Sequence, residues 1–343
     1  MRNERPVTTG VHMAEAAIEG DSILSSDRLA CTEQEIRQVQ AFNRTLARLP
    51  RFRIRNRLVP RALQGLLRLG QIGGDSRLAR QGLAVERRIV GPASAPVPVR
   101  IISPAGRPKG LVLDFHGGGW VIGNAQMNDT VNAAMVKACE VTVVSVDYRL
   151  APATPIEGLM EDCLNAARWL LTSDDTAFAG LPVVVIGESA GAHLAVATLL
   201  GLKKTPALLL RISGTVLYYG VYDLGASASV RAAGPDTLVL DGPGMPEAFR
   251  ALTPGLNDAQ RRRPPLSPLY GDFAAFPPAL MFAGELDPLR DDTLGLAERW
   301  ARSAQVEVHL LPAAPHGFIH FPLMLADKVL ARTQQWVTER IGH

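Results

Sequence analysis

Cysteine is scarce in this chain: Cys31, Cys139 and Cys163 are the three in 343 residues. An odd, sparse set without metal-like spacing argues against a disulfide framework and for reduced side chains packed as small hydrophobes. Long apolar runs are missing too. None approaches the roughly 18 residues that span a bilayer, and the stretch Met1 to Asp21 mixes charges with alanines where a secretory signal has a continuous apolar segment. A cytoplasmic protein with no stable membrane insertion is expected. The net charge is only +3, which gives no reason to expect a nucleic-acid partner. The G-x-G-x-x-G spacing of a nucleotide site is absent, and the histidines and carboxylates lack zinc spacing, so neither a cofactor nor a metal is expected.

What is present is a hydrophobic fraction of 47%. It suffices for a large core in a chain long for one compact domain, so a core plus an accessory element is expected. Residues 1 to about 30 are polar with weak periodicity. From Thr32 the pattern turns helical: Thr32 and Glu35 have capping-box spacing, Ile36, Val39, Phe42, Leu46 and Leu49 share one face, and Pro50 stops the run. A second helical stretch covers Pro60 to Leu69. Between Arg44 and Arg68 stand eight arginines, at 44, 48, 51, 53, 55, 57, 61 and 68, with no acidic residue among them. That stretch reads either as a solvated face on helices covering the core or as a surface attracted to an anionic membrane or acidic substrate.

From Ala84 the period changes to two. Val85 to Val90 and Val97 to Ile102 read as an antiparallel hairpin. Leu111 to Phe115, Val141 to Val146, Val183 to Ile186, Thr215 to Tyr219, Ala279 to Phe282 and Val306 to Leu311 read as further strands. Helical stretches separate most of these: Asn128 to Cys139, Ile156 to Leu171, Ala192 to Leu202, Thr293 to Ser303 and Leu323 to Ile341. Strands alternating with helices mean an α/β fold with a mostly parallel sheet covered on both faces. The interval 222–269 breaks the alternation: it is rich in Gly and Pro, with one short helical piece near Glu247 to Leu252. It is too long for a plain connection and reads as an inserted lid packed against the N-terminal helices.

The chemistry concentrates at turns. Gly187-Glu188-Ser189-Ala190-Gly191 sits directly behind Val183-Val184-Val185-Ile186 and directly ahead of a helix. A serine hydroxyl is a weak nucleophile at neutral pH, so it needs a sharp bend, a base, and backbone donors for the charge that develops on the attacked oxygen. His116-Gly117-Gly118-Gly119-Trp120 follows Leu111-Val112-Leu113 and leaves backbone N–H groups open. Asp287 and His316 each lie just beyond a later strand, giving the chain order Ser, Asp, His.

Ser189 is therefore the candidate nucleophile, His316 the base and Asp287 the group that orients His316. The N–H groups of Gly117, Gly118 and Ala190 are the candidate oxyanion donors. Of the other histidines, His12 and His343 are near the termini, His309 lies in a strand pattern and His193 in the helix after the serine. His320, four residues past His316, is the competing choice. Asp291, Asp292 and Glu285 read as loop or helix-start carboxylates. His116 reads as fixing the glycine loop, Trp120 as lining the pocket or joining the core, and Glu188 as hydrogen-bonded at the turn or placing a water.

These motifs, with Tyr148-Arg149-Leu150-Ala151-Pro152, Asp287-Pro288-Leu289-Arg290-Asp291-Asp292 and His316-Gly317-Phe318, resemble those of the bacterial hormone-sensitive-lipase-like esterases. That family is the branch of the α/β-hydrolases marked by an HGGG sequence. The match runs from Leu111 to Phe318. The resemblance implies an eight-stranded sheet with helices on both faces, a helical cap, no cofactor, and hydrolysis of small acyl esters. It divides the chain into an N-terminal cap segment (1–83), a first core part (84–221), a cap or lid insertion (222–269) and a second core part (270–343). It also implies that Asp147, Tyr148 and Arg149 brace the glycine loop, and it suggests a homodimer through the edge strand Val306 to Leu311.

Many relatives carry Asp where Glu188 stands and Gly-Asn where Ala192-His193 stands, which leaves acyl and alcohol preference open. The expected function is a serine carboxylesterase acting on short- to medium-chain acyl esters through an acyl-enzyme. The alternatives are a related acyl hydrolase (deacetylase, lactonase or amidase) or a non-catalytic ligand-binding protein on the same fold. The presence of His316 favours an enzyme.

Overall fold

The computed structural model describes residues 29–52 and 58–342, the side chains of 58–61 excepted. The polar stretch 1–28, and Arg53, Arg55 and Arg57 of the basic stretch, lie outside the described residues. Three helices come first: α1 (Glu33–Leu46), α2 (Leu58–Gly70) and α3 (Gly74–Arg80). Strands β1 (Ala84–Val90), β2 (Val97–Ser103) and β3 (Gly110–Phe115) follow. Helices and strands then alternate as α4 (Asp129–Cys139), β4 (Val141–Val146), α5 (Ile156–Thr172), β5 (Val183–Glu188), α6 (Ala190–Leu202), the short α7 (Pro206–Leu209) and β6 (Ile212–Tyr218). After β6 come only short helices, α8 (Ala228–Ala232), α9 (Met245–Leu252) and α10 (Asp258–Arg261). The chain ends with β7 (Ala279–Gly284), α11 (Arg290–Trp300), β8 (Val306–Leu311) and α12 (Met324–Ile341).

The strands form one sheet of eight in the order β1-β2-β4-β3-β5-β6-β7-β8. The β1–β2 and β2–β4 pairs are antiparallel and the rest parallel. Every residue of β3, β4, β5 and β7 is buried, as strands covered on both faces require. Alternate residues serve opposite cores. Leu113, Val183 and Val185 pack with Leu159, Cys163, Leu194 and Leu199 of α5 and α6, whereas Val112 and Val184 pack with Val136, Val329 and Trp336 of α4 and α12.

The capping box at the head of α1 is present: Glu35 N–H donates to Thr32 Oγ1 at 3.3 Å and Thr32 N–H to Glu35 Oε2 at 2.7 Å. Glu35 also pairs with Lys328 at 2.7 Å, which fastens α1 to α12. Val39 and Leu46 are buried, and the Phe42 ring meets that of Phe321 at a 45° tilt with centroids 5.1 Å apart. Leu49, expected on the same face, is 53% exposed because the helix ends before it. The interval after β6 is pinned by Asp292 of α11, whose Oδ2 accepts from Tyr222 and Asp223 N–H at 2.6 and 2.8 Å. Burial pushes that carboxyl up to about 7. The same interval meets the N-terminal segment where Phe52 N–H donates to Val239 O at 2.7 Å. Among the described residues no helix is long and apolar enough to cross a membrane.

At the edge strand, Glu307 receives Arg332 of α12 through two bonds of 2.8 and 2.7 Å and lies 2.8 Å from His309. Burial pushes the Glu307 carboxyl up, but Arg332 and His309 outweigh it and hold it at about 2. Because the folded value lies below the unfolded one, the pair stabilises above the ordinary glutamate range and its contribution is lost as the pH falls toward about 2. Glu307→Ala should lower the unfolding free energy by about 3 kcal/mol at neutral pH, since it leaves the buried Arg332 with only the longer 3.5 Å contact to Glu339. Urea titrations of both proteins should show the gap closing between about pH 4.5 and 2.5. A gap independent of pH would contradict this account.

Candidate active site

The turn between β5 and α6 places Ser189 at φ 51°, ψ −119°, outside the helix that begins at the next residue. Two glycines allow it. A Cβ on Gly191 would stand 1.9 Å from Phe115 O and 2.4 Å from His116 O, and one on Gly187 would stand 2.5 Å from Gly191 O. The turn therefore closes directly onto the end of β3, and the serine is left half-buried at the sheet edge.

His316 and Asp287 reach this point from the loops after β8 and β7. These two loops touch at Gly284, where a Cβ would be 2.2 Å from Ala314 O. His316 Nε2 lies 3.0 Å from Ser189 Oγ and its Nδ1 lies 2.8 Å from Asp287 Oδ2. A carboxylate only accepts, so Nδ1 carries the proton and Nε2 is free to accept from the serine hydroxyl. Asp287 is buried, and its other oxygen accepts Leu289 N–H at 2.8 Å. The three residues predicted from sequence thus form one hydrogen-bonded chain.

The glycine loop ends beside them. Gly118 has φ 105°, and a Cβ there would be 2.2 Å from Ile122 O. Among the described residues the N–H groups of Gly118 and Ala190 meet no acceptor. Gly117 departs from expectation: its N–H donates to Glu188 Oε1 at 3.2 Å, so it is committed to a carboxylate rather than open to a substrate oxygen.

The loop is braced from below as the histidine motif suggests. His116 stacks on Tyr148 with centroids 4.2 Å apart and bonds Gly117 O through Nδ1 at 2.8 Å. Burial lowers its pKa, keeping it neutral. Tyr148 O–H donates to His116 O at 2.7 Å, and Asp147 accepts Ala125 N–H at 3.3 Å. Arg149, expected to join them, instead clamps Asp162 of α5 through bonds of 2.8 Å. Trp120 is buried, edge-on to His193 at 5.2 Å and to Phe249 of α9 at 6.4 Å. His193, held neutral by burial that lowers it to about 4, bonds Leu266 O at 2.8 Å and so ties α6 to the interval after β6.

Two contacts have no local signature in the sequence. Gln64 of α2 grips Gly123 by both backbone groups, at 2.9 and 2.8 Å, just beyond the glycine loop. His320, considered above as a rival base, lies 2.6 Å from Glu188 Oε2, which also accepts Tyr219 O–H at 2.8 Å. A cavity of about 580 Å³ lies elsewhere, among Arg68, Asp75, Arg87, Arg100, Asn124 and Asp147. Arg87 is paired there with Asp75 and Arg100 with Asp129, and none of the three triad residues lines it.

A nucleophile on a strand-to-helix turn, with a histidine and a carboxylate from later loops of a mostly parallel sheet, defines an α/β hydrolase. A family model described as alpha/beta hydrolase fold matches residues 112–320, and the chain belongs to that family. An arylesterase of Saccharolobus solfataricus is 32% identical over 251 residues, 72% of this chain and 78% of that protein. The carboxylesterase NlhH of Mycobacterium tuberculosis is 31% identical over 254 residues, 71% of this chain and 78% of that one. Among solved structures, the esterase LipW from Mycobacterium marinum superimposes with a TM-score of 0.77 at 25% identity, covering 89% of this chain and 96% of the other. An esterase of the bacterial hormone-sensitive lipase family shares the fold with a TM-score of 0.72 at 24% identity, covering 91% and 100%.

The closeness of the turn to β3 has a direct consequence. Gly191→Ala should abolish ester hydrolysis or prevent folding, because its methyl group falls on a backbone oxygen that cannot move without opening the sheet. A soluble Gly191→Ala protein with more than half of wild-type turnover would contradict the described geometry.

Proposed function

We propose that the protein is a serine carboxylesterase that hydrolyses short- to medium-chain acyl esters through an acyl-enzyme. The observation that carries this reading is the chain Ser189–His316–Asp287, at 3.0 and 2.8 Å, beside the unengaged N–H groups of Gly118 and Ala190. Ser189 Oγ bonds to the ester carbonyl carbon while its proton passes to His316 Nε2. The carbonyl oxygen becomes an oxyanion that Gly118 and Ala190 receive. Asp287 stabilises the imidazolium and holds its tautomer. The proton then goes to the departing alkoxide, the C–O bond breaks, and the acyl group remains on Ser189. In the second half a water gives its proton to Nε2 and attacks the acyl carbon, and Ser189 leaves with that proton to release the acid.

Helices α1–α3 and the interval 222–269 act as a cap over this site in the same reading. Supporting it are the Gln64–Gly123 bonds and the packing of Phe249 against Trp120. Small ester substrates, a cytoplasmic location and a homodimer through β8 belong to the same proposal. The esterase relatives support the substrate class, the three free cysteines the location, and Leu310, 46% exposed on the edge strand, the homodimer. The same triad serves deacetylases, lactonases and amidases, so substrate preference is what experiment must set.

Ser189→Ala should reduce turnover of p-nitrophenyl butyrate by about 10⁴-fold or more with its melting temperature nearly unchanged. Retention of a tenth of wild-type activity would refute the nucleophile. Across a p-nitrophenyl series from acetate to palmitate, turnover should concentrate at two to eight carbons, roughly the reach of a small acyl pocket. Maximal rates on palmitate would favour a lipase instead.

A further inference from the structure

Glu188 precedes the nucleophile and is 4% exposed, yet its carboxylate collects donors from three other segments. Gly117 N–H comes from the loop after β3, Tyr219 O–H from the end of β6, and His320 Nε2 from the turn Phe318–His320. Each donor adjoins a working part. Gly117 is bonded in sequence to Gly118, the ring of Tyr219 stands edge-on to His316 with centroids 4.8 Å apart, and His320 follows His316 on one short loop. Four segments around the site, among them those that carry Ser189, His316 and Gly118, therefore meet on one carboxylate.

The charges do not meet water equally. The Glu188 side chain is 5% exposed and that of His320 34%, so His320 is the member that exchanges protons with solvent. With His320 protonated the pair is neutral overall. Without that proton an uncompensated carboxylate stands next to the peptide that receives the oxyanion, and like charges there raise the transition state more than the bound substrate.

We propose that His320, as the imidazolium partner of Glu188, is a positioning residue that fixes the Gly117–Gly118 peptide and neutralises Glu188 where the oxyanion forms. The inference rests on the esterase reading above. Titratable groups facing the pair are Asp114 of β3, His116, Tyr148, and Tyr218 and Tyr219 at the end of β6. Burial pushes Asp114 up to about 6 and Tyr218 up, and holds Tyr148 and Tyr219 well above the usual tyrosine range. The His320 value is raised by Glu188, which outweighs the opposing effect of burial. The imidazolium is thus present at low pH and lost as the pH rises through that raised value.

The test uses His320→Gln, which keeps a donor without the charge, Glu188→Gln, and the double variant. Two readouts serve: turnover of p-nitrophenyl butyrate, and the rate at which a fluorophosphonate labels Ser189, which also forms an oxyanion-like centre. His320→Gln should lower kcat and the labelling rate by about tenfold with KM within about twofold, a fraction of the loss of a whole oxyanion donor. The double variant should recover most of that loss, because it removes the uncompensated carboxylate. Wild-type kcat should fall as the pH rises above the ordinary histidine range, and the fall should vanish in Glu188→Gln, a test that stands even where His320→Gln does not fold. Equal labelling of His320→Gln and wild type, a double variant no better than the single, or a fall with rising pH that survives in Glu188→Gln would each overturn the proposal. Failure of fluorophosphonate to label wild type would instead overturn the esterase reading, and the brace with it.

Discussion

The site depends on the register of the parallel strands. Phe115 pairs with Gly187, Glu188 with Tyr218, Tyr218 with Phe282, and Gly284 with Leu311, so β3, β5, β6, β7 and β8 end together along one edge of the sheet. The chain leaves each strand at that edge, and the loops that follow carry the glycines, the serine, the aspartate and the histidine. A slip of one residue in any pairing would turn the side chains to the opposite face and separate these groups. Close backbone approaches then fix the loops against one another. Gly191 lies on the end of β3 and Gly284 on the loop after β8, each with no room for a Cβ.

Electrostatics follow the same logic of local closure. Carboxylates buried near the sheet edge or against α12 are held by named partners rather than left to solvent: Asp287 by the Nδ1–H of His316, Glu188 by His320, and Glu307 by Arg332. A buried charge without its partner is costly, so these pairs hold the loops that bear them in fixed relation. His116 and His193 are the counterexample, two histidines that burial keeps neutral and that act as hydrogen-bond posts. The distinction between a charged brace and a neutral post is made by the neighbours, since the residue type is the same.

Much of this was legible in the sequence, for physical reasons. The strands announce themselves by β-branched runs bounded by turn residues, and the serine turn and glycine loop are local patterns whose meaning is carried by the strand before them. Asp287 and His316 could be chosen because each follows a strand end. What escaped was short or non-local. Helices α3, α7, α8 and α10 have too few residues for a helical period to show. Helix α6 begins at Ala190, two residues earlier than expected, because the strained serine conformation lets the helix start at once. The partnership of Glu188 with His320 spans 132 residues, and the bond that diverts Gly117 N–H to the same carboxylate spans 71. Arg149 went to Asp162 because α5 brings that carboxylate nearer, which no spacing in the motif reveals.

The central claim is that Ser189 carries the acyl group between two half-reactions. Acid-quenching the enzyme during turnover of p-nitrophenyl acetate, digesting it and mapping the acetylated peptide by mass spectrometry tests that claim directly. The account predicts acetyl on Ser189, in the peptide that contains Gly187-Glu188-Ser189-Ala190-Gly191. Acetyl on another residue, or rapid turnover with no acetylated peptide trapped, would contradict it.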